Sequence, residues 1–177
     1  SLLLFVFGQF NFHLAFGIFW TGAGGMVGLH HRSDVDALSA GMRTGALDDV
    51  LFPQNPVADA PRIINRYRTL FPVTDGNLLI GPMLELSFSD PPIVFVRLGV
   101  IFDVRNVLSP GPVTLSKVVL VGQVLVHLPA RKLGVPAILR LLIDVVGFYD
   151  GDTRFLLVRA RLRDSFVGIE GFVKLNL

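Results

Sequence analysis

The chain has 177 residues, is 51% hydrophobic, carries 16 basic against 14 acidic side chains for a formal charge of +2, and contains no cysteine. That length suffices for one domain with a core of its own, and the missing cysteines exclude a disulfide framework and any thiolate metal site. Residues 1–76 hold five arginines against six aspartates, so the basic excess lies in the rest; so mild an asymmetry excludes the clustered footprint of a nucleic-acid-binding protein.

The first thirty or so residues are uncharged, long enough for a spanning helix or a signal peptide. Neither fits. Phe10, Phe12, Leu14, Phe16, Ile18 and Trp20 fall on one parity, and Gln9, Asn11, His13, Ala15 and Gly17 on the other. A period of two belongs to a strand with one apolar and one mixed face, and no basic segment precedes Leu2 as a signal peptide requires. The first strand is expected to end near Trp20, with a turn over Thr21 to Gly25 and a return run through Met26, Val27 and Leu29.

The period then changes. Ser33 with Asp36 makes a capping-box-like helix start, and Val35, Leu38 and Met42 recur at helical spacing. Leu47, Val50 and Leu51 continue an apolar face to Pro53. A further helix, with Asp59 as cap and Pro61 in its first turn, turns Ile63, Ile64, Tyr67, Leu70 and Phe71 inward and Arg62, Arg66 and Arg68 outward. From Asn77 the pattern is an antiparallel meander, with strands near 78–88, 93–104, 116–128, 137–148, 154–163 and 166–176. The separators carry turn chemistry, and Asp150-Gly151 suits a type I′ hairpin turn. The expected fold class is α+β, mostly β: a long-stranded antiparallel meander of about eight strands with a helical insert of two or three helices near residues 33–71. Residues 1–32 form a hairpin, 33–71 the insert and 77–177 the meander, in a single domain or a segment cut from a longer protein, since the chain starts and stops inside strand patterns.

Chemistry-bearing motifs are sparse. His30 and His31 are adjacent, so a strand points them to opposite faces, but Asp34 and Asp36 nearby keep a hydrolase or metal-enzyme reading open. The glycines from Gly22 to Gly28 do not make a phosphate loop, because Val27 stands where GxGxxG needs its last glycine and no GK[ST] follows. Catalytic residues, metal ligands and cofactors are therefore not assigned. Arg159, Arg161 and Arg163 alternate along one strand and put three guanidiniums on one face; they suit phosphate head groups, or acids on neighbouring strands such as Asp144 or Glu170.

Several strands are apolar on both parities. Val94, Val96, Leu98, Val100, Phe102 and Val104 form one face of their strand, and Ile93, Phe95 and Ile101 interrupt the charges on the other. Two short helices cannot cover both faces of such a sheet, so it closes on itself or reserves a face for something else. The run from Gly28 to Pro61, with Gly81-Pro82-Met83, the segment Leu142 to Asp150 and Arg161 to Ser165, resembles an uncharacterised family of large β-rich bacterial proteins, a domain of unknown function. The resemblance covers nearly the whole chain and implies a part of a bigger polypeptide, with no catalytic residues to carry over. The meander is also similar in architecture to groove-forming lipid-transfer proteins, a fold-level likeness only.

The leading expectation is a non-enzymatic module that presents an apolar sheet face to lipid or another long hydrophobic ligand. Phe10, Phe12, Phe16, Trp20, Phe95 and Ile101 are the expected lining, and Arg159, Arg161 and Arg163 the head-group contacts. The alternative is a structural or assembly module whose face packs on neighbouring segments or identical subunits. No nucleic acid and no transmembrane helix are expected.

Overall fold

The structure, a computed structural model, describes residues 1–44, 50, 60–129, 136–169 and 173–177. The strands are β1 (Leu2–Ala15), β2 (Ile18–His31), β3 (Val73–Phe88), β4 (Val94–Arg105), β5 (Thr114–Leu128), β6 (Leu139–Asp150), β7 (Phe155–Leu162), β8 (Phe166–Ile169) and β9 (Val173–Asn176), with helices α1 (Val35–Thr44) and α2 (Ala60–Leu70) between β2 and β3. They form a nine-stranded antiparallel sheet in which β1 to β6 follow chain order. Strands β7 and β8 then run one after the other along β6, β7 beside Ile143–Asp150 and β8 beside Leu139 and Arg140, and β9 pairs β8. Where that line breaks, the Ser165 hydroxyl accepts the Leu142 amide at 2.9 Å, replacing the missing ladder bond. The expected α+β, mostly β meander with its helical insert is the observed fold. The expected last strand, 166–176, is two strands, and the residues between them lie outside the described ones.

Both helices lie on one face of the sheet. There Met26, Leu79, Ile101, Val119, Val121 and Val146 meet Leu38, Ile63, Tyr67, Leu70 and Phe71 in a single buried cluster. Helix α1 starts one residue later than its capping pattern suggests. Asp34, not Ser33, is the cap: its Oδ1 accepts the Ala37 amide at 2.9 Å. Ser33 is taken by another partner, since its amide and hydroxyl both donate to Asp103 Oδ2, at 2.9 and 3.1 Å. Asn77 Nδ2 donates to the other oxygen of Asp103, so this buried carboxylate pins the start of the insert to β3 and β4. In α2 the buried positions are Ile63, Tyr67 and Leu70, and Ile64 is 52% exposed. An inward Ile64 fails because it sits about 100° around the helix from Ile63, off the stripe that 63, 67 and 70 share. The Asp59 cap, Leu47, Leu51 and Pro53 fall outside the described residues, as does the side chain of Met42.

Two turns differ from expectation. The first hairpin turns at Phe16 and Gly17, both with positive φ (51° and 74°), and the glycine run lies inside β2. A two-residue hairpin needs that left-handed pair to match strand twist, and Phe16 keeps the apolar parity while standing fully exposed at the tip. The glycines serve close approach: a Cβ on Gly24 would lie 2.6 Å from Phe7 Cδ2 and 2.5 Å from the Val6 carbonyl oxygen. The Asp150 turn is a longer loop, in which Asp150 pairs with Phe155 and its Oδ1 accepts the amides of Asp152 and Thr153 at 2.9 and 3.1 Å. Gly151 instead permits its amide to donate to the Ser116 carbonyl at 2.8 Å, where a Cβ would meet the Leu115 carbonyl oxygen.

Candidate functional site

Strand register sorts the side chains into rows that cross the sheet. On the face away from the helices one row runs Phe12, Trp20, Leu86, Val96, Val124, Ile143, Leu162, each residue directly opposite the next on the neighbouring strand. A second runs Leu4, Val27, Ile80, Phe102, Val118, Tyr149, Leu156. Between them lies a flatter row of Gly8, Ala23, Leu84, Leu98, Gly122, Val145 and Ala160. None of these positions is charged. Among the described residues no helix covers them, and Leu4, Val27, Ile80, Leu84, Leu156 and Leu162 are exposed. A contiguous uncharged surface this wide is beyond what a free-standing soluble domain ordinarily leaves to water.

The opposite face carries a row of another kind. Gln9, Gly22, Glu85, Arg97, Gln123, Asp144 and Arg161 stand opposite one another across the same strands. Glu85 and Asp144 are buried, and each holds a cation. Arg97 Nε donates to Glu85 Oε2, and Thr21 Oγ1 to Oε1 at 3.0 Å. Arg163 grips Asp144 through Nε at 2.7 Å and Nη2 at 3.2 Å, and Gln123 Nε2 donates to the same carboxylate at 3.2 Å. Such a fork matches both carboxylate oxygens at once. The row was missed in the sequence because its members are far apart there. Its signal is that β3, β4, β5 and β6 each place one polar residue mid-strand on the same parity, between apolar neighbours.

The expected lining residues do not share a face. Phe12 and Trp20 are on the open one, and Phe10 meets the Trp20 ring edge-on at 5.1 Å from within the irregular stretch of β1. Phe16 is at the hairpin tip. Phe95 and Ile101 point toward the helix-bearing side, where Ile101 is completely buried, because they have the parity of Arg97 and Asp103 rather than that of Val96 and Leu98. The three arginines also lie on that side. Arg163 is paired with Asp144, Arg161 Nη1 donates to the Arg43 carbonyl at the end of α1 at 3.3 Å, and Arg159 is exposed.

His30, His31, Asp34 and Asp36 do not converge. The Gly76 amide donates to His30 Nδ1 at 3.3 Å; His31 is buried with Nδ1 2.7 Å from the Phe71 carbonyl oxygen; Asp34 caps α1 and Asp36 is exposed in its first turn. Among the described residues no three His, Asp or Glu side chains group closely enough to hold a metal ion. Tyr67, whose hydroxyl donates to the Val50 carbonyl at 2.7 Å, is pushed well above the usual tyrosine pKa by burial, which keeps it a neutral donor. No helix of the described residues is long and apolar enough to cross a membrane.

The chain belongs to DUF6603, a family of unknown function, whose family model matches residues 1–175. No curated protein and no solved structure matches it significantly.

Proposed function

We propose that this domain is a non-enzymatic β-rich interaction module whose uncharged sheet face is buried against a second apolar protein β-layer, supplied by another segment of a larger protein or by a second copy. The observation that carries the reading is the set of charge-free rows running from β1 to β7. Face-to-face packing of sheets buries such rows about 10 Å from their partners, and each Leu or Val so covered contributes roughly 1.5–3 kcal/mol.

The edge of the sheet supports a protein partner over a lipid one. Among the described residues β1 pairs on one side only, and its 14 residues include no charge and no proline. Edge strands of isolated domains are usually blunted by such residues. An unblunted edge offers amides and carbonyls that another strand can satisfy and an acyl chain cannot. Lipid or another long hydrophobic ligand is the second reading, favoured by the width of the uncharged face itself.

Sedimentation velocity across a concentration series tests the choice. The expected result is reversible self-association that Leu98→Lys with Val124→Lys, both on the open face, abolishes while circular dichroism stays unchanged. A monomer at every concentration that takes up fluorescent acyl probe and co-purifies with lipid by native mass spectrometry would move the conclusion to the lipid reading. A monomer that binds neither probe nor lipid overturns the lipid reading and the second copy as partner, leaving only another segment of a larger protein to cover the face.

A further inference from the structure

On the helix-bearing side, beyond the helices, a cavity of about 260 Å³ opens between β1, β2, β3 and β4. It is smaller than the roughly 300–1,000 Å³ typical of drug-sized ligand sites, so its occupant is small. Three phenylalanines, Phe10, Phe19 and Phe95, contribute to its walls. Its charged lining is acidic: Glu85 is 5% exposed, Asp90 is exposed, and the lining includes no basic side chain among the described residues. Arg97 holds one oxygen of Glu85 from outside that lining and the Thr21 hydroxyl donates to the other at 3.0 Å, which orients the carboxylate.

Ser87 adds an independent observation. It lines the same cavity and is 1% exposed, and its Oγ is buried without a hydrogen-bond partner. Buried hydroxyls almost always have one. Ser89, two residues on and just past the end of β3, is satisfied by contrast, donating to the Pro91 carbonyl at 2.8 Å and accepting the Ile93 amide at 3.1 Å. The hydroxyl can donate as well as accept, and with Glu85 and Asp90 supplying only acceptors beside Gln9, Asn11 and Thr21, a ligand that brings donors serves its lone pairs and the carboxylates together.

We infer that this cavity binds a small organic cation, a primary ammonium on a short apolar or aryl body. The ammonium brings three donors and no acceptor, which suits Ser87 Oγ, the Glu85 carboxylate and Asp90. The phenylalanine faces attract the charge through their quadrupoles and pack the body. An anion meets two carboxylates and finds no basic side chain in the lining. The site lies on the opposite side of the sheet from the proposed packing face and stands independently of it.

Trp20 is the chain's single tryptophan and touches Phe10 edge-on, so its emission reports on the cavity. Titration of the full chain at neutral pH with 2-phenylethylammonium is expected to shift that emission saturably. The neutral isostere 2-phenylethanol should bind about tenfold more weakly, and 3-phenylpropionate should give no saturable shift. Ser87→Ala and the surface change Asp90→Asn should each weaken the cation about three- to tenfold, with unaltered circular dichroism. Equal binding of all three probes, no binding of the cation, or affinity unchanged in both variants overturns the inference and leaves the cavity a water site.

Discussion

Replacing Asp144 by leucine removes the acceptor at the centre of the polar row. Asp144 is 4% exposed and, among the described residues, accepts two hydrogen bonds from Arg163 and one from Gln123. Leucine fills a similar volume, so the cost comes from the donors left behind. Breaking a buried ion pair from one side costs about 3–5 kcal/mol. The Arg163 side chain keeps 18% of its surface and can swing partly to water, which places the expected loss near the low end, about 3 kcal/mol. With a urea slope of about 2 kcal/mol per molar, the midpoint should fall by roughly 1.5 M. Removing both partners, Asp144→Leu with Arg163→Met, leaves no buried charge and should recover most of the loss, because apolar replacement of a whole pair is often close to neutral. Urea unfolding of the wild type, both single variants and the double variant gives the coupling directly; since Arg163→Met also strands a buried charge, the single losses should exceed that of the double variant by more than about 2 kcal/mol. Additivity within about 0.5 kcal/mol would refute the reading of this row as a coupled structural element.

Two further outcomes are expected. Gly24→Ala forces a methyl to within 2.5 Å of the Val6 carbonyl oxygen and 2.6 Å of the Phe7 ring, and should lower stability by about 2–3 kcal/mol in urea unfolding; a change below about 0.5 kcal/mol would show that β1 moves freely on β2. The Asp150 carboxyl is held below the usual aspartate range, chiefly by the Thr153 amide and also by that of Asp152. A depressed folded pKa stabilises above the unfolded value, and the contribution disappears as pH falls through the folded one. The melting-temperature gap between wild type and Asp150→Ala should therefore be present at neutral pH and close as acid protonates the folded-state carboxyl, below the usual aspartate range; a gap that is constant or widens with acid contradicts it.

Much of this fold was legible because period is a local property. The alternation from Phe10 to Trp20 and the apolar runs of β4, β5 and β6 mark strands whatever they pair with, and Asp34, Leu38, Pro61 and Tyr67 mark helices in the same way. What failed depended on long-range partners. Ser33 looks like a cap until Asp103, 70 residues away, claims its amide and hydroxyl. The Gly22 to Gly28 run looks like a turn until Phe7 needs room above it. Asp150-Gly151 looks like a tight hairpin until the Gly151 amide is seen to bond β5. The lining residues failed for a related reason. Aromatic size drew attention to Phe95 and Ile101, although parity already set them with Arg97 and Asp103, on the side that the helices cover.

The two faces of β3 to β6 obey the same period with opposite consequences. On one side each strand contributes a polar residue, and the register stacks those residues into paired charges that fix the alignment: a slip of one residue would carry Glu85, Arg97 and Asp144 onto the apolar face and strip them of partners. A slip of two residues keeps each side chain on its face: it would still separate Glu85 from Arg97, whereas Leu84, Leu98, Gly122 and Val145 would only exchange one apolar neighbour for another. The polar row therefore specifies the register that the open face cannot specify for itself. That division suits a sheet whose open face serves a partner: register is settled within the chain, and the uncharged rows need carry only shape and hydrophobic area to whatever packs on them.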